Sequence, residues 1–155
     1  MIRRATTTDV AAILECLRLA FEPYRDRYTP EGFRDTVLTA ETLARRLVEM
    51  SLFVAVSERG DVLGTIGYSV AAGHDGHIRG MAVRPEERGT GLAQQLLDAA
   101  LAGMREDQCH TASLDTTEPL ERAMRFYERN GFRRSGVVRD YFGMPLIEYV
   151  KQLDS

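Results

Sequence analysis

The stretch Ala82-Val83-Arg84-Pro85-Glu86-Glu87-Arg88-Gly89-Thr90-Gly91-Leu92-Ala93 is where residue types and spacing first suggest chemistry. An apolar run passes through a charged turn into a Gly-x-Gly loop that opens a helical pattern. The two glycines let the backbone turn sharply and approach a ligand with no side chain in the way. A helix start presents N–H groups without intrahelical acceptors and a partial positive charge. Together these make a seat for phosphate, and hence for a phosphate-bearing ligand.

The elements that must hold this loop are read from periodicity. A short strand is expected over 2–5. Thr8 then caps a helix with Asp9 in its first turn and with Val10, Ile13, Leu14, Leu17 and Phe21 at helical spacing. Residues 22–39 read as loop plus a short helix, and 40–50 as a second helix with Leu43, Leu47 and Met50 on one face. Strands over 52–57 and 62–70 are joined by the turn Glu58-Arg59-Gly60-Asp61. After a polar turn comes a strand over 77–83, whose alternation puts His77, Arg79, Met81 and Val83 on one face. Leu92, Leu96, Ala100 and Met104 stripe the helix after the loop, and a strand follows over 111–115. A helix over 119–130 carries Leu120, Ala123, Met124 and Tyr127 on one face and ends at Gly131, before strands at 132–138 and 146–150. Hairpin-linked strands followed by crossover helices imply an α/β or α+β domain. Its mixed sheet would be parallel around the Gly loop. No repeat or linker divides the chain, so residues 1–155 read as one domain.

Composition narrows the partners. The chain has 155 residues, 44% hydrophobic and 28% charged, with a net charge of −3, which gives no reason to expect nucleic acid. No apolar run approaches the roughly 20 residues of a membrane span. The N-terminus lacks the apolar core of a signal peptide, so the expected location is cytoplasmic. Cys16 and Cys109 fit no metal spacing and read as reduced core residues.

A Gly-x-Gly alone also fits a plain turn or a dinucleotide-binding loop. A strand precedes the loop, and Asp115 ends the next strand at a suitable distance for the dinucleotide reading. Against it, the third glycine is missing, and Arg84 to Arg88 separate the strand from the glycines. No Gly-Lys-Ser/Thr follows, so the loop is not a Walker loop.

Val83-x-Pro85-x-x-Arg88-Gly89-x-Gly91-Leu92-Ala93 resembles the acetyl-CoA-binding motif of the GNAT (GCN5-related) N-acetyltransferase superfamily, Gln/Arg-x-x-Gly-x-Gly/Ala. Downstream, Ala123-x-x-Phe126-Tyr127-Glu128-Arg129-Asn130-Gly131-Phe132 is similar to that family's Ala-x-x-Leu-Tyr-Glu-x-x-Gly-Phe. The two motifs stand in the family's order, and the element order matches along nearly the whole chain. One position departs. Where the family often has a cofactor-contacting Asn, this chain has Leu120, with Thr116 or Thr117 as substitutes.

The resemblance implies the GNAT acyl-CoA N-acyltransferase fold, with six to seven strands and about four helices. It also implies direct transfer from acetyl-CoA to a primary amine. The cofactor would lie along Met81, Ala82 and Val83, with its pyrophosphate held by backbone N–H groups from Arg88, Gly89, Thr90, Gly91, Leu92 and Ala93. Tyr127 occupies the family's position for protonating the departing thiolate; the alternative is a tyrosine packed on an apolar helix face. His77 stands where some members carry a glutamate base, and its unperturbed pKa of about 6.5 suits that work. The plainer reading of His77 is a strand-end histidine bonded to a neighbour. The acceptor would lie near Tyr24, Tyr28, Arg79 and Tyr141. An arginine aimed there favours a small molecule carrying an amine together with a carboxylate or phosphate. A non-catalytic acyl-CoA-binding module on the same fold would keep the loop and need neither Tyr127 nor a base. The run Phe142 to Ile147 is read as either a homodimer seam or core.

Overall fold

The first helix starts where Thr6 and Asp9 close a reciprocal cap, with the Thr6 N–H donating to Asp9 Oδ2 at 2.8 Å. The cap therefore falls two residues earlier than Thr8, which lies inside a single 3-10 turn, Thr7–Asp9. Arg3 grips Asp9 through two hydrogen bonds of 2.8 and 2.9 Å, and this pairing holds the carboxyl down to about 2. Helix α1 (Val10–Phe21) then buries Ile13, Cys16, Leu17 and Ala20. The segment expected as loop plus short helix is a 3-10 turn, Glu22–Arg27, followed by α2 (Pro30–Val37). Thr29 caps α2 and Pro30 opens it, while Thr39 caps α3 (Ala40–Glu49).

The computed structural model describes residues 1–153. Its sheet has seven strands: β1 (Ile2–Arg4), β2 (Ser51–Val56), β3 (Val62–Ala71), β4 (Asp75–Val83), β5 (Thr111–Thr116), β6 (Arg133–Tyr141) and β7 (Met144–Gln152). Their order across the sheet is β1-β2-β3-β4-β5-β7-β6. Only β4 and β5 run parallel. The crossover between them is α4 (Leu92–Glu106), the helix that follows the Gly loop. Helix α5 (Glu121–Arg129) is shorter than expected, because Leu120 sits at ψ 49° outside the helical region. The described residues thus hold five α-helices rather than four.

Helices cover both faces. On one, α4 packs Leu96, Leu97, Ala100 and Met104 against Ile66, Tyr68, Ile78 and Leu114. On the other, α1 and α3 pack Ile13, Leu17 and Leu43 against Leu52, Val54, Val62 and Ala82. Both cysteines are free and buried, and burial raises the Cys16 thiol to about 11, as suits inert core residues. The apolar run expected as a seam or core divides: Phe142 and Gly143 form the β6–β7 turn with φ of 52° and 89°, and only Met144 onward is strand.

Candidate active site

β4 and β5 pair only between Asp75–Ile78 and Thr111–Leu114. Beyond that point each keeps its other neighbour, β4 on β3 as far as Val83 and β5 on β7 as far as Thr116. A wedge therefore opens between two strands that remain anchored on their far sides. The ladder between β3 and β4 slips at this level, where Gly80 and Met81 together face Ile66. Gly80 has φ +70°, the left-handed conformation that a bulge of this kind requires. The extra residue reverses the alternation. Ile78 packs on the α4 side, so His77 and Arg79 face the other way, yet Met81 and Val83 also pack on the α4 side while Ala82 turns toward α1. The expectation that His77, Arg79, Met81 and Val83 share one face is corrected here: His77 and Arg79 lie opposite Met81 and Val83.

The wedge forms part of a cavity of about 800 Å³, within the usual range for small-molecule sites. At one end lies the Gly loop. Gly89 and Gly91 have φ of 80° and 85°, and a Cβ on either would meet open space. Gly91 caps α4 without any side-chain hydrogen bond. The Arg88 and Thr90 N–H groups are spent inside the turn, on Pro85 and Glu87 carbonyls at 3.2 and 3.4 Å. Those of Gly89, Gly91, Leu92 and Ala93 have no acceptor among the described residues. Thr90, whose hydroxyl also donates to Glu87 at 2.6 Å, stands off the cavity wall; the other expected cofactor residues line it. A turn with free N–H groups beside a wedge of unpaired strand fits a long ligand with a phosphate end, as coenzyme A is.

Tyr127 projects from α5 into the wall, buried against Phe126 and Phe132 at ring distances of 5.4 and 5.7 Å. Its hydroxyl donates to Met81 Sδ at 3.3 Å. Burial alone drives its pKa well above the ordinary phenol value, so it stays protonated. His77 Nδ1 lies 2.8 Å from Ser113 Oγ, which in turn donates to the Gly76 carbonyl at 3.3 Å. On its other side the ring turns Nε2 toward Asp115 Oδ2 at 3.5 Å, so the Ser113 hydroxyl and the Asp115 carboxylate flank the two ring nitrogens. Burial lowers the His77 pKa, with the Asp115 carboxylate opposing it. His77 is thus bonded to a neighbour through Nδ1, as the plainer reading has it, and also lines the cavity with Nε2 beside Asp115.

Thr117 donates to the Tyr28 hydroxyl at 3.3 Å, whereas Thr116 Oγ1 is the one buried side-chain polar atom left without a partner among the described residues. Both threonines line the cavity beside Leu120. Tyr24, Tyr28, Arg79 and Tyr141 line it as well, and Tyr141 donates to Asp35 at 2.7 Å. Asp35, Thr36 and Arg46 were not foreseen there. They sit on the polar faces of α2 and α3, where sequence alone marks solvent. Among the described residues no group of three His, Cys, Asp or Glu could hold a metal, and no helix is long and apolar enough to cross a membrane.

Comparison with known proteins agrees with this geometry. Residues 13–132 match the model of the acetyltransferase (GNAT) family. A mycothiol acetyltransferase of Thermobispora bispora is 34% identical over 155 residues, covering 86% of this chain and 52% of that protein. A second, from Propionibacterium freudenreichii, is 33% identical, covering 61% of this chain and 33% of that protein. The chain thus spans from a third to about half of the length of these relatives. Among solved structures, the PaiA N-acetyltransferase of Thermoplasma acidophilum in complex with coenzyme A aligns with a TM-score of 0.82 at 20% identity, covering 98% of each chain. The ribosomal-protein-S18-alanine N-acetyltransferase of Escherichia coli aligns at 0.80 and 19% identity, covering 100% of this chain and 94% of that one. The seven-stranded sheet and its helices are the GNAT acyltransferase fold, and acetyl-CoA is the acyl donor of that family. This chain belongs to the GNAT acetyltransferase family.

Proposed function

We propose that this chain transfers the acetyl group of acetyl-CoA directly to the primary amine of a small molecule. The observation that carries the reading is a single cavity that joins the open Gly89–Gly91 turn, the β4–β5 wedge, the Tyr127 hydroxyl and His77. Acetyl-CoA, when bound, would supply the acetyl group as an activated thioester. The N–H groups of Gly89, Gly91, Leu92 and Ala93 hold its pyrophosphate, with the charge of Arg88 beside them. The backbone of Met81, Ala82 and Val83, released from β5, takes the pantetheine arm and polarises the reacting carbonyl. His77 Nε2 takes the proton that an alkylammonium, with a pKa of about 10.4, must lose before it can attack. Asp115 lies where it stabilises the imidazolium so formed. Tyr127 donates a hydrogen bond to the departing thiolate, and the proton collected by His77 passes on to solvent. Tyr24, Tyr28, Arg79 and Tyr141 frame the acceptor. Relatives that are mycothiol acetyltransferases support a small acceptor over a protein terminus.

Acetyl-CoA and coenzyme A should each raise the thermal midpoint while NAD does not, by about 2.7 kcal/mol of stability at a hundredfold excess over Kd. Release of coenzyme A on adding primary amines then establishes transfer. Binding without turnover across a broad amine panel would leave an acyl-CoA-binding module and overturn the proposal.

Thr116 supplies the polar contact that Leu120 cannot. An unsatisfied buried hydroxyl costs roughly 1–3 kcal/mol. Thr116→Val should therefore raise the midpoint of the free protein and shrink the increment that coenzyme A adds. An unchanged increment would remove Thr116 from the cofactor site.

A further inference from the structure

Arg46 and Arg79 come together at the acceptor end of the cavity from elements distant in the chain. Arg46 rises from α3, and Arg79 stands on β4 one residue before the bulge. Arg46 Nη1 would lie 3.2 Å from a Cβ at Gly80, so the bare glycine is what lets this guanidinium cross the bulge. Among the described residues, neither guanidinium has a hydrogen-bond or ion-pair partner. The carboxylates on the same wall are otherwise engaged: Asp35 accepts from Tyr141 at 2.7 Å, and Asp115 faces His77 and Arg139 at 3.5 Å. Arg46 is half-buried, and its pKa is lowered first by burial and then by the charge of Arg79. The two like charges repel each other across the bulge, and the nearby Asp35 carboxylate opposes that effect at Arg46 without bonding to it. An oxyanion accepting hydrogen bonds from both would relieve that repulsion and use donors left unpaired, and the guanidinium fork is shaped for carboxylate and phosphate alike.

We infer that the acceptor is a primary amine that also carries an oxyanion, a carboxylate or a phosphate, seated between Arg46 and Arg79. This rests on the acetyltransferase reading and adds the acceptor's second functional group. His77 and Arg79 lie two residues apart on one face of β4, roughly 7 Å along the strand. An amine at His77 and an anion at the arginine pair are therefore a few bonds apart, as in a short amino acid or amino phosphate.

Matched acceptors test this. Initial rates of coenzyme A release are compared for free amino acids, the corresponding amino acid amides and decarboxylated amines, and for O-phosphoethanolamine against ethanolamine. The anionic member of each productive pair should show kcat/KM higher by about 10- to 100-fold, the range of hydrogen bonds to charged groups. The better of the two anion types identifies the group. Arg46→Gln and Arg79→Gln should each raise acceptor KM and erase that preference, while acetyl-CoA still raises their thermal midpoints. Neutral amines serving as well as anionic ones, or a preference that survives both substitutions, would overturn the inference. Binding is read separately from turnover, by following the arginine Nε–H NMR signals as inorganic phosphate or N-acetylglycine is added to the coenzyme A-loaded protein. Saturable shifts at Arg46 and Arg79 support the anion seat even if no amine in the panel reacts, and their absence sinks it. If coenzyme A itself fails to bind, the acetyltransferase reading falls, and the same titration on the free protein still decides whether the arginine pair takes an anion.

Discussion

Tyr127→Phe should fold, bind acetyl-CoA with nearly unchanged affinity, and lose about 100- to 10,000-fold in kcat, the usual weight of a positioned proton donor. The ring is what the fold uses: it packs edge-on against Phe126 and Phe132, and phenylalanine keeps those contacts. The hydroxyl makes only one hydrogen bond in the described structure, to a thioether sulfur at 3.3 Å, and sulfur is a weak acceptor. Removing it should therefore cost less than about 1 kcal/mol of stability. A buried phenol whose partner is so weak is free to turn toward a stronger acceptor, and a departing thiolate is one. Burial also holds the proton on the oxygen across the working pH range, so the group offers a hydrogen bond to the sulfur throughout. Thermal unfolding and steady-state kinetics on one preparation separate the two roles. A variant within about threefold of wild-type kcat would make Tyr127 a packing residue and nothing more.

What could be read from the sequence was local. The Gly89-Thr90-Gly91 turn and the helix after it follow from glycine conformation and a helical stripe within a dozen residues, and both stand as expected. The α4 core residues Leu96, Ala100 and Met104 follow from the same period. The bulge at Gly80 was hidden, because strand alternation assumes one residue per step and a lone glycine does not announce an inserted one. Its effect is large: it sends Met81 and Val83 to the α4 side and keeps His77 and Arg79 on the other. The cap at Thr6 was missed among three consecutive threonines, since only the reciprocal bond to Asp9 tells them apart. Arg46 carried no signal at all. On a helix rich in charge it looks like any solvated arginine, and only packing of α3 across the bulge brings it to Arg79. The site is thus half local motif and half tertiary placement. The motif half concerns the cofactor, common to the family, and the placement half concerns the proposed acceptor seat.

His77→Gln should lower kcat/KM at neutral pH by about 100- to 10,000-fold and abolish the acidic limb of its pH profile. In the native protein that limb belongs below pH 6.5. Burial depresses the imidazole pKa most, Arg79 and Arg139 push in the same direction, and Asp115 and Glu148 pull against them. A neutral ring is the form able to accept the amine proton, so activity falls as pH drops through this lowered value and the ring becomes charged. The acceptor's own ionisation, with a pKa of about 10, slopes both profiles alike, and the His77 limb is the added steepness below 6.5 that only the native protein shows. Stability follows the same group. Below 6.5 the unfolded chain binds a proton that the folded one resists, so the stabilisation present above 6.5 is lost as pH falls through the folded pKa. Wild type should lose midpoint on acidification across that window more steeply than His77→Gln. Two independent curves, one kinetic and one thermal, must then bend in the same pH interval and lose that bend together in the variant. A kinetic limb that persists in His77→Gln would assign the titration to another group and leave His77 as a strand-end histidine held by Ser113.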